Sequence, residues 1–197
     1  DSVTLDAHKQ LYVPMGAGMA LFRDPAAARA IEHHARYIIR EGSRDLGSKT
    51  LEGSRPGMAL LVHSGLRILG QRGYELLIDA GIDKARWFAD ELGKSPDFEL
   101  TSEPELNILT YRYVPAAARQ ALASADSLTI ARINELLNGI TRDIQRLQRD
   151  AGKSFVSRTQ LGLARYGEQA IDVFRVVLAN PLTDQNVLRD VLAEQRE

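Results

Sequence analysis

The chain has 197 residues, 44% of them hydrophobic, with Lys+Arg 25 against Asp+Glu 26 and a formal net charge of −1. This is the composition of a globular chain able to bury a core, and the near balance of charge excludes an electrostatic footprint for nucleic acid or an anionic membrane. The lack of cysteine removes disulfides, thiolate metal sites and cysteine nucleophiles, and fits a reducing, cytoplasmic setting.

No apolar run approaches the ~20 residues of a membrane-spanning helix, and no basic stretch precedes an apolar one as in a signal peptide. The chain opens on Asp1 in mid-pattern, which reads as part of a longer protein. From Val3 to Leu5 apolar and polar residues alternate, as in a short half-buried strand. Pro14, Gly16 and Gly18 then break the apolar run Leu11 to Phe22, predicting a turn and a strand near Met19–Phe22. Gly16-Ala17-Gly18 is a poor match to a phosphate-binding loop, since Leu21 stands where the third glycine would be.

Asp24-Pro25 predicts a helix start, with the helix running through Ala26 to about Ile39. His33 and His34 are consecutive there and point about 100° apart, so they do not form an i,i+4 metal pair, and no metal site is read. The segment 41–57 is rich in Gly and Ser, carries both charges and reads as a long mobile loop. Met58–Gly70 and Tyr74–Leu92 predict two helices, the second ended by Gly93. Short strands follow at Phe98–Leu100 and Leu106–Tyr111, then an alanine-rich connector from Pro115 to Asp126. Ile130, Ile133, Leu136, Leu137, Ile140, Ile144 and Leu147 mark one face of a helix over 128–149. Strands at 155–161 and 171–178 and a terminal helix capped by Thr183 or Asp184 complete the pattern.

The chemistry concentrates at His8-Lys9. A lysine placed where water is scarce is held toward the neutral amine, which can form a Schiff base with an aldehyde. Lys9 stands between strand-like apolar segments, where burial would require a counter-charge or a covalent role. Taken alone, it is equally open to being a solvated surface lysine, and His8 to being a core histidine. Fully extended, the two side chains would point to opposite sides; at a strand end both could line a cleft. Tyr37, where the predicted helix meets the loop, reads either as a proton-delivering phenol or as a packing residue. Arg55 and Arg175 are the carboxylate-binding candidates, because a guanidinium grips a carboxylate with two parallel hydrogen bonds.

Ser2-Val3, Lys9 seven residues after the serine, His8 before it, and Leu11, Met15, Ala17 and Arg23 beyond it form a signature. It resembles the cofactor-lysine signature of the group II pyridoxal-phosphate-dependent decarboxylases, which act on glutamate, aspartate or aromatic amino acids. Gln10 and Ala20 depart from that pattern. DAHKQLYVPMGAGMALF together with GSRDLGSKTLEGSRPGMALLVHSG is most similar to the glutamate-decarboxylase-like branch that includes the pyridoxal-dependent aspartate 1-decarboxylases.

The resemblance implies an α/β fold: the C-terminal part of a fold-type I pyridoxal-phosphate-dependent enzyme. Residues 1–95 would be the end of the large cofactor domain, with the mobile loop 41–57, and 96–197 a small α+β domain. It implies pyridoxal 5'-phosphate as cofactor, Lys9 as its Schiff-base lysine, His8 beside it and Tyr37 as the proton donor to the carbanion. Gly53-Ser54-Arg55 matches a turn near the subunit interface of a homodimer. The implied activity is decarboxylation of a small acidic amino acid, aspartate first and glutamate second. The alternatives are an aromatic amino-acid decarboxylase or a non-catalytic dimerisation or structural fragment. The aspartate that partners the cofactor's ring nitrogen lies upstream of the lysine in this family, so the 197-residue chain alone is expected to be inactive.

Overall fold

Ser2–Asp6 (β1) runs antiparallel to Gly18–Phe22 (β2), with Val3 opposite Leu21 and Leu5 opposite Met19. Between them lies one helical turn, Ala7–Gln10 (α1). The computed structural model describes residues 1–197 except 36, 38, 41, 43–45 and 51. The chain forms two compact units, Asp1–Tyr74 and Glu75–Glu197.

In the first unit the core is small: Ala7, Val13, Ala17 and Val62 are buried, with Leu11, Met19 and Met58 packed against them. The strands themselves are not half-buried as the alternation predicts; Val3 is 55% and Leu21 56% exposed. Within these 197 residues they pair with each other. The helix predicted over 26–39 is also corrected. Asp24 does receive the Ala26 amide at 2.8 Å, but only a 3₁₀ turn forms, Ala27–Ile31. Glu32 is extended, and the His33 amide donates to the Ser48 carbonyl instead of continuing a helix. None of Ala27–Ile31 is buried, so helix propensity there has no tertiary packing to support it. The segment 41–57 falls partly outside the described residues; within it a second 3₁₀ turn covers Leu46–Lys49.

Met58–Lys94 (α2) begins in the first unit and continues in the second. The sequence predicts two helices here, and the backbone does break helical geometry at Gly70, with φ 65 and ψ 179. That combination is open essentially only to glycine. Gly93 does not end the helix, which runs on through Lys94.

The second unit is built on a four-stranded antiparallel sheet. Its strands are Phe98–Ser102 (β3), Ile108–Tyr113 (β4), Ser157–Gly162 (β5) and Ala170–Val177 (β6), in the order β3-β4-β6-β5. Ala116–Ser124 (α3), Ser127–Ala151 (α4) and Gln185–Glu194 (α5) are its further helices. Phe88, Leu92, Phe98, Leu109, Tyr111, Phe174, Leu188 and Leu192 make one buried cluster. Each large side chain so buried contributes about 1.5–3 kcal/mol before entropy is counted. Tyr111 lies at its centre, its ring edge-on to Phe88 and Phe98 with centroids 5.6 and 5.7 Å away. Its hydroxyl donates to Gln195 at 3.0 Å, and burial pushes the phenol pKa up.

α4 departs from its sequence pattern in a telling way. Asp126 caps it by accepting the Thr129 amide, and Gly152, at φ 71, ends it. Yet Leu136 and Leu147 of the apolar stripe are 70% and 58% exposed, while Asn134, Asn138, Thr141 and Gln148 are buried. The buried face combines Leu137, and Ile144 packed on the core, with hydrogen-bonding side chains. Asn138 donates to the Ala170 carbonyl and accepts the Asp172 amide; Asn134 accepts from Arg112 and donates to Gln169. Arg112 is fully buried, paired with Glu99 at 2.6 Å and stacked over the Tyr166 ring. Fully buried Asp172 is held by Arg142 and Arg158. α5 starts as predicted, with Asp184 accepting the amides of Asn186 and Val187.

Two expectations follow. A Cβ on Gly81 would meet the Leu178 carbonyl oxygen at 2.9 Å, whereas one on Gly93 would meet nothing. Gly81→Ala should therefore cost about 1–3 kcal/mol in urea unfolding, and Gly93→Ala should be neutral or stabilising by up to ~1 kcal/mol. Arg196 grips Asp97 with two hydrogen bonds, at 2.6 and 3.1 Å, and holds its carboxyl below the usual range. A depressed folded pKa gives stability that is full above the unfolded value, about 3.9, and is lost as pH falls through the folded value. Arg196→Gln should therefore lower stability at pH 7, where the contribution is full, and change it little once pH has fallen below the folded value, so that the acid side of the curve is flatter.

Candidate active site

The turn that carries His8 and Lys9 is built from its flanks. β1 delivers Asp6 to the N-cap of α1, and Ala7 is fully buried in the small core. Tyr12 then takes a left-handed backbone, φ 55, which stops the helix and lets the Val13 amide turn back to the Ala7 carbonyl at 3.4 Å. Gly16, at φ 97, redirects the chain into β2.

A long-range bond holds this turn from behind. The Tyr74 hydroxyl donates to the Leu11 carbonyl at 3.0 Å, across 63 residues of sequence. Gly65 makes room for it, since a Cβ there would lie 2.8 Å from the same hydroxyl oxygen. Tyr74 is 6% exposed, so the bond is shielded from water.

His8 places Nδ1 3.1 Å from the Ala17 carbonyl oxygen. A carbonyl only accepts, so Nδ1 carries the proton and Nε2 is the ring's remaining edge. Within these 197 residues Lys9 faces solvent and has a counter-charge. Its side chain is 66% exposed, with Nζ 2.5 Å from Asp6 Oδ2. Hydrogen bonding to Lys9, followed by the ammonium's charge, holds the Asp6 carboxyl below the usual carboxylate range. Because the pair sits on a helical turn, His8 and Lys9 diverge by about 100° rather than pointing to opposite sides.

Tyr37 does not end a helix. It lies 81% exposed in a turn closed by the bridge between Ala35 and Ile39. No hydrogen bond among the described residues joins it to His8 or Lys9. Of the two arginines, Arg55 is engaged by Glu52, three residues earlier. Arg175 is exposed on β6 and has no ion-pair partner among the described residues; with Phe155, Val177 and Tyr111 it borders a cavity of about 470 Å³ within the second unit. The sequence reading missed Asp6, Tyr74 and Gly65 as site-supporting residues. Asp6 and Lys9 at i,i+3 were a readable signal; the Tyr74 contact has no local signature.

With that geometry in view, comparison with known proteins is decisive. Residues 1–114 match the pyridoxal-dependent decarboxylase conserved domain. The chain belongs to the pyridoxal-dependent decarboxylase family. It is 57% identical over all 197 residues to the aspartate 1-decarboxylase of Aliivibrio fischeri, and spans 36% of that relative's length. It is 31% identical over 167 residues, 82% of this chain and 32% of the relative, to an aromatic-L-amino-acid decarboxylase of Bacillus atrophaeus. Among solved structures, mouse CSAD superposes with a TM-score of 0.81 at 23% identity, covering 100% of this chain and 39% of that one. The mixed helix-and-sheet fold is thus that of the C-terminal portion of such enzymes.

What the Lys9 turn offers fits the aldehyde end of a pyridoxal cofactor. It presents a primary amine reachable from solvent, beside an imidazole whose orientation is set by a backbone carbonyl. No helix among the described residues is long and apolar enough to cross a membrane.

Tyr74→Phe should lower stability by about 0.5–1.5 kcal/mol, the worth of one such hydrogen bond. Hydrogen exchange at the Tyr12 and Val13 amides should accelerate more than at amides of β6. Gly65→Ala, which displaces the same hydroxyl, should reproduce that pattern.

Proposed function

We propose that the full-length protein is a pyridoxal-phosphate-dependent decarboxylase of aspartate, yielding CO₂ and β-alanine, with glutamate as the second acidic substrate. The observation that carries this reading is the 57% identity across the whole chain to an aspartate 1-decarboxylase, against 31% to the aromatic relative. When bound, pyridoxal phosphate supplies the electron sink for the pair left at Cα as the carboxylate departs.

The chain's own residues do the rest. Lys9 is the amine that holds the cofactor covalently between turnovers, and its exposed Nζ leaves it open to the aldehyde. His8, anchored through Nδ1, presents its Nε2 edge in a fixed orientation beside the lysine. Tyr37, on an exposed turn, is the proton donor to the substrate carbon. Of the two carboxylate-binding candidates, Arg55 is engaged by Glu52 while Arg175, in the second unit, has no ion-pair partner among the described residues. The working protein is a homodimer in a reducing, cytoplasmic setting, as the resemblance and the lack of cysteine suggest.

The test uses the full-length protein with pyridoxal phosphate and labelled aspartate. Release of CO₂ from aspartate, with loss of both turnover and the cofactor's visible absorbance in Lys9→Ala, is the expected result. Preference for an aromatic amino acid would overturn the substrate assignment. Absence of cofactor absorbance in the native protein would leave the non-catalytic module as the correct reading.

A further inference from the structure

Asp6 occupies the N-cap of α1, where an aspartate ordinarily accepts an amide hydrogen from the first turn. Here its side chain makes no capping bond at all. The carboxylate is turned instead onto Lys9 Nζ, 2.5 Å away, and the two side chains are 40% and 66% exposed. A helix cap has thus been given over to a counter-ion, three residues from the amine that chemistry requires.

We propose that Asp6 is a positioning residue that holds the Lys9 ammonium whenever that amine is not covalently engaged. This rests on the assignment of Lys9 as the cofactor lysine. In the cofactor-free protein the pair must part before Nζ can attack an aldehyde, so Asp6 slows capture. Whenever Nζ is free and has taken a proton from water or from an incoming substrate ammonium, the same carboxylate would hold it within reach. The i,i+3 geometry makes both roles local, since neither requires movement beyond side-chain rotation. Covalent engagement of Nζ frees the carboxylate to take up the capping bond it lacks here.

The experiment compares native protein, Asp6→Asn and Asp6→Glu, all full-length and stripped of cofactor. Asparagine caps helices as well as aspartate does, so this change removes the charge and spares the turn; unchanged thermal unfolding confirms it. Two rates are read at pH 7. One is the labelling of Lys9 by an amine-reactive reagent, scored by mass spectrometry against exposed Lys94. The other is the growth of visible absorbance on adding pyridoxal phosphate. Both should rise roughly two- to fivefold in Asp6→Asn, the span open to an exposed ion pair, with Asp6→Glu nearer to native. At about 1 M salt the rates should converge, because screening over roughly 3 Å weakens an exposed ion pair.

Equal or slower rates in Asp6→Asn at pH 7 and low salt, or a gain that persists undiminished at high salt, overturn the proposal. Failure of the underlying assignment looks different: Lys9→Ala would then keep the cofactor absorbance, whatever Asp6→Asn does.

Discussion

A turn of four residues cannot be helical by its own means, and α1 is held by contacts made elsewhere. The bond from the Tyr74 hydroxyl to the Leu11 carbonyl, with Ala7 buried beneath, fixes the backbone on which Lys9 and His8 stand. The remaining features of the site are consequences. Tyr12 goes left-handed because the chain must leave the helix within one turn and reach Val13's place in the small core. His8 meets the Ala17 carbonyl because the segment folds back into β2. Gly65 is a glycine for a reason outside its own helix, since it gives the hydroxyl its space.

The second unit solves a different problem, that of fixing a helix on a sheet in one register. α4 does so through polar groups. Arg112, Asn134, Asn138 and Asp172 are all nearly or fully buried and all paired. Apolar contacts tolerate sliding, but a side chain that both donates to and accepts from strand backbone, as Asn138 does, accepts a single alignment. Breaking such a buried pair by removing one partner is costly, because the other is left charged or unsatisfied. That alignment also sets β6, where Arg175 is exposed directly after four buried residues. Its availability is a product of register, and register is a product of the buried network.

Local signals carried far along this chain. Helix caps at Asp126 and Asp184, the strands of both sheets and the long helices stand close to where pattern and capping chemistry place them. The adjacency of His8 and Lys9 and their family resemblance were also readable, because signature spacing is a property of the chain itself. The helix over 26–39 failed because alanine-rich propensity had no packed face behind it. The apolar face of α4 held in part, with Leu137 buried and Ile144 packed on the core, but Asn134 and Asn138 share the inward positions because they find partners on and beside the sheet.

The order of residues by itself thus determined the family, the nucleophile candidate and the kinds of element, all of which depend on neighbours a few positions apart. Only the tertiary structure decided that Lys9 is paired with Asp6, and that among the described residues Arg55 has an ion-pair partner while Arg175 has none. It alone decided that Tyr74 secures the turn from 63 residues away. Exposure and partnership are set by what the rest of the chain leaves uncovered, and no local pattern encodes that.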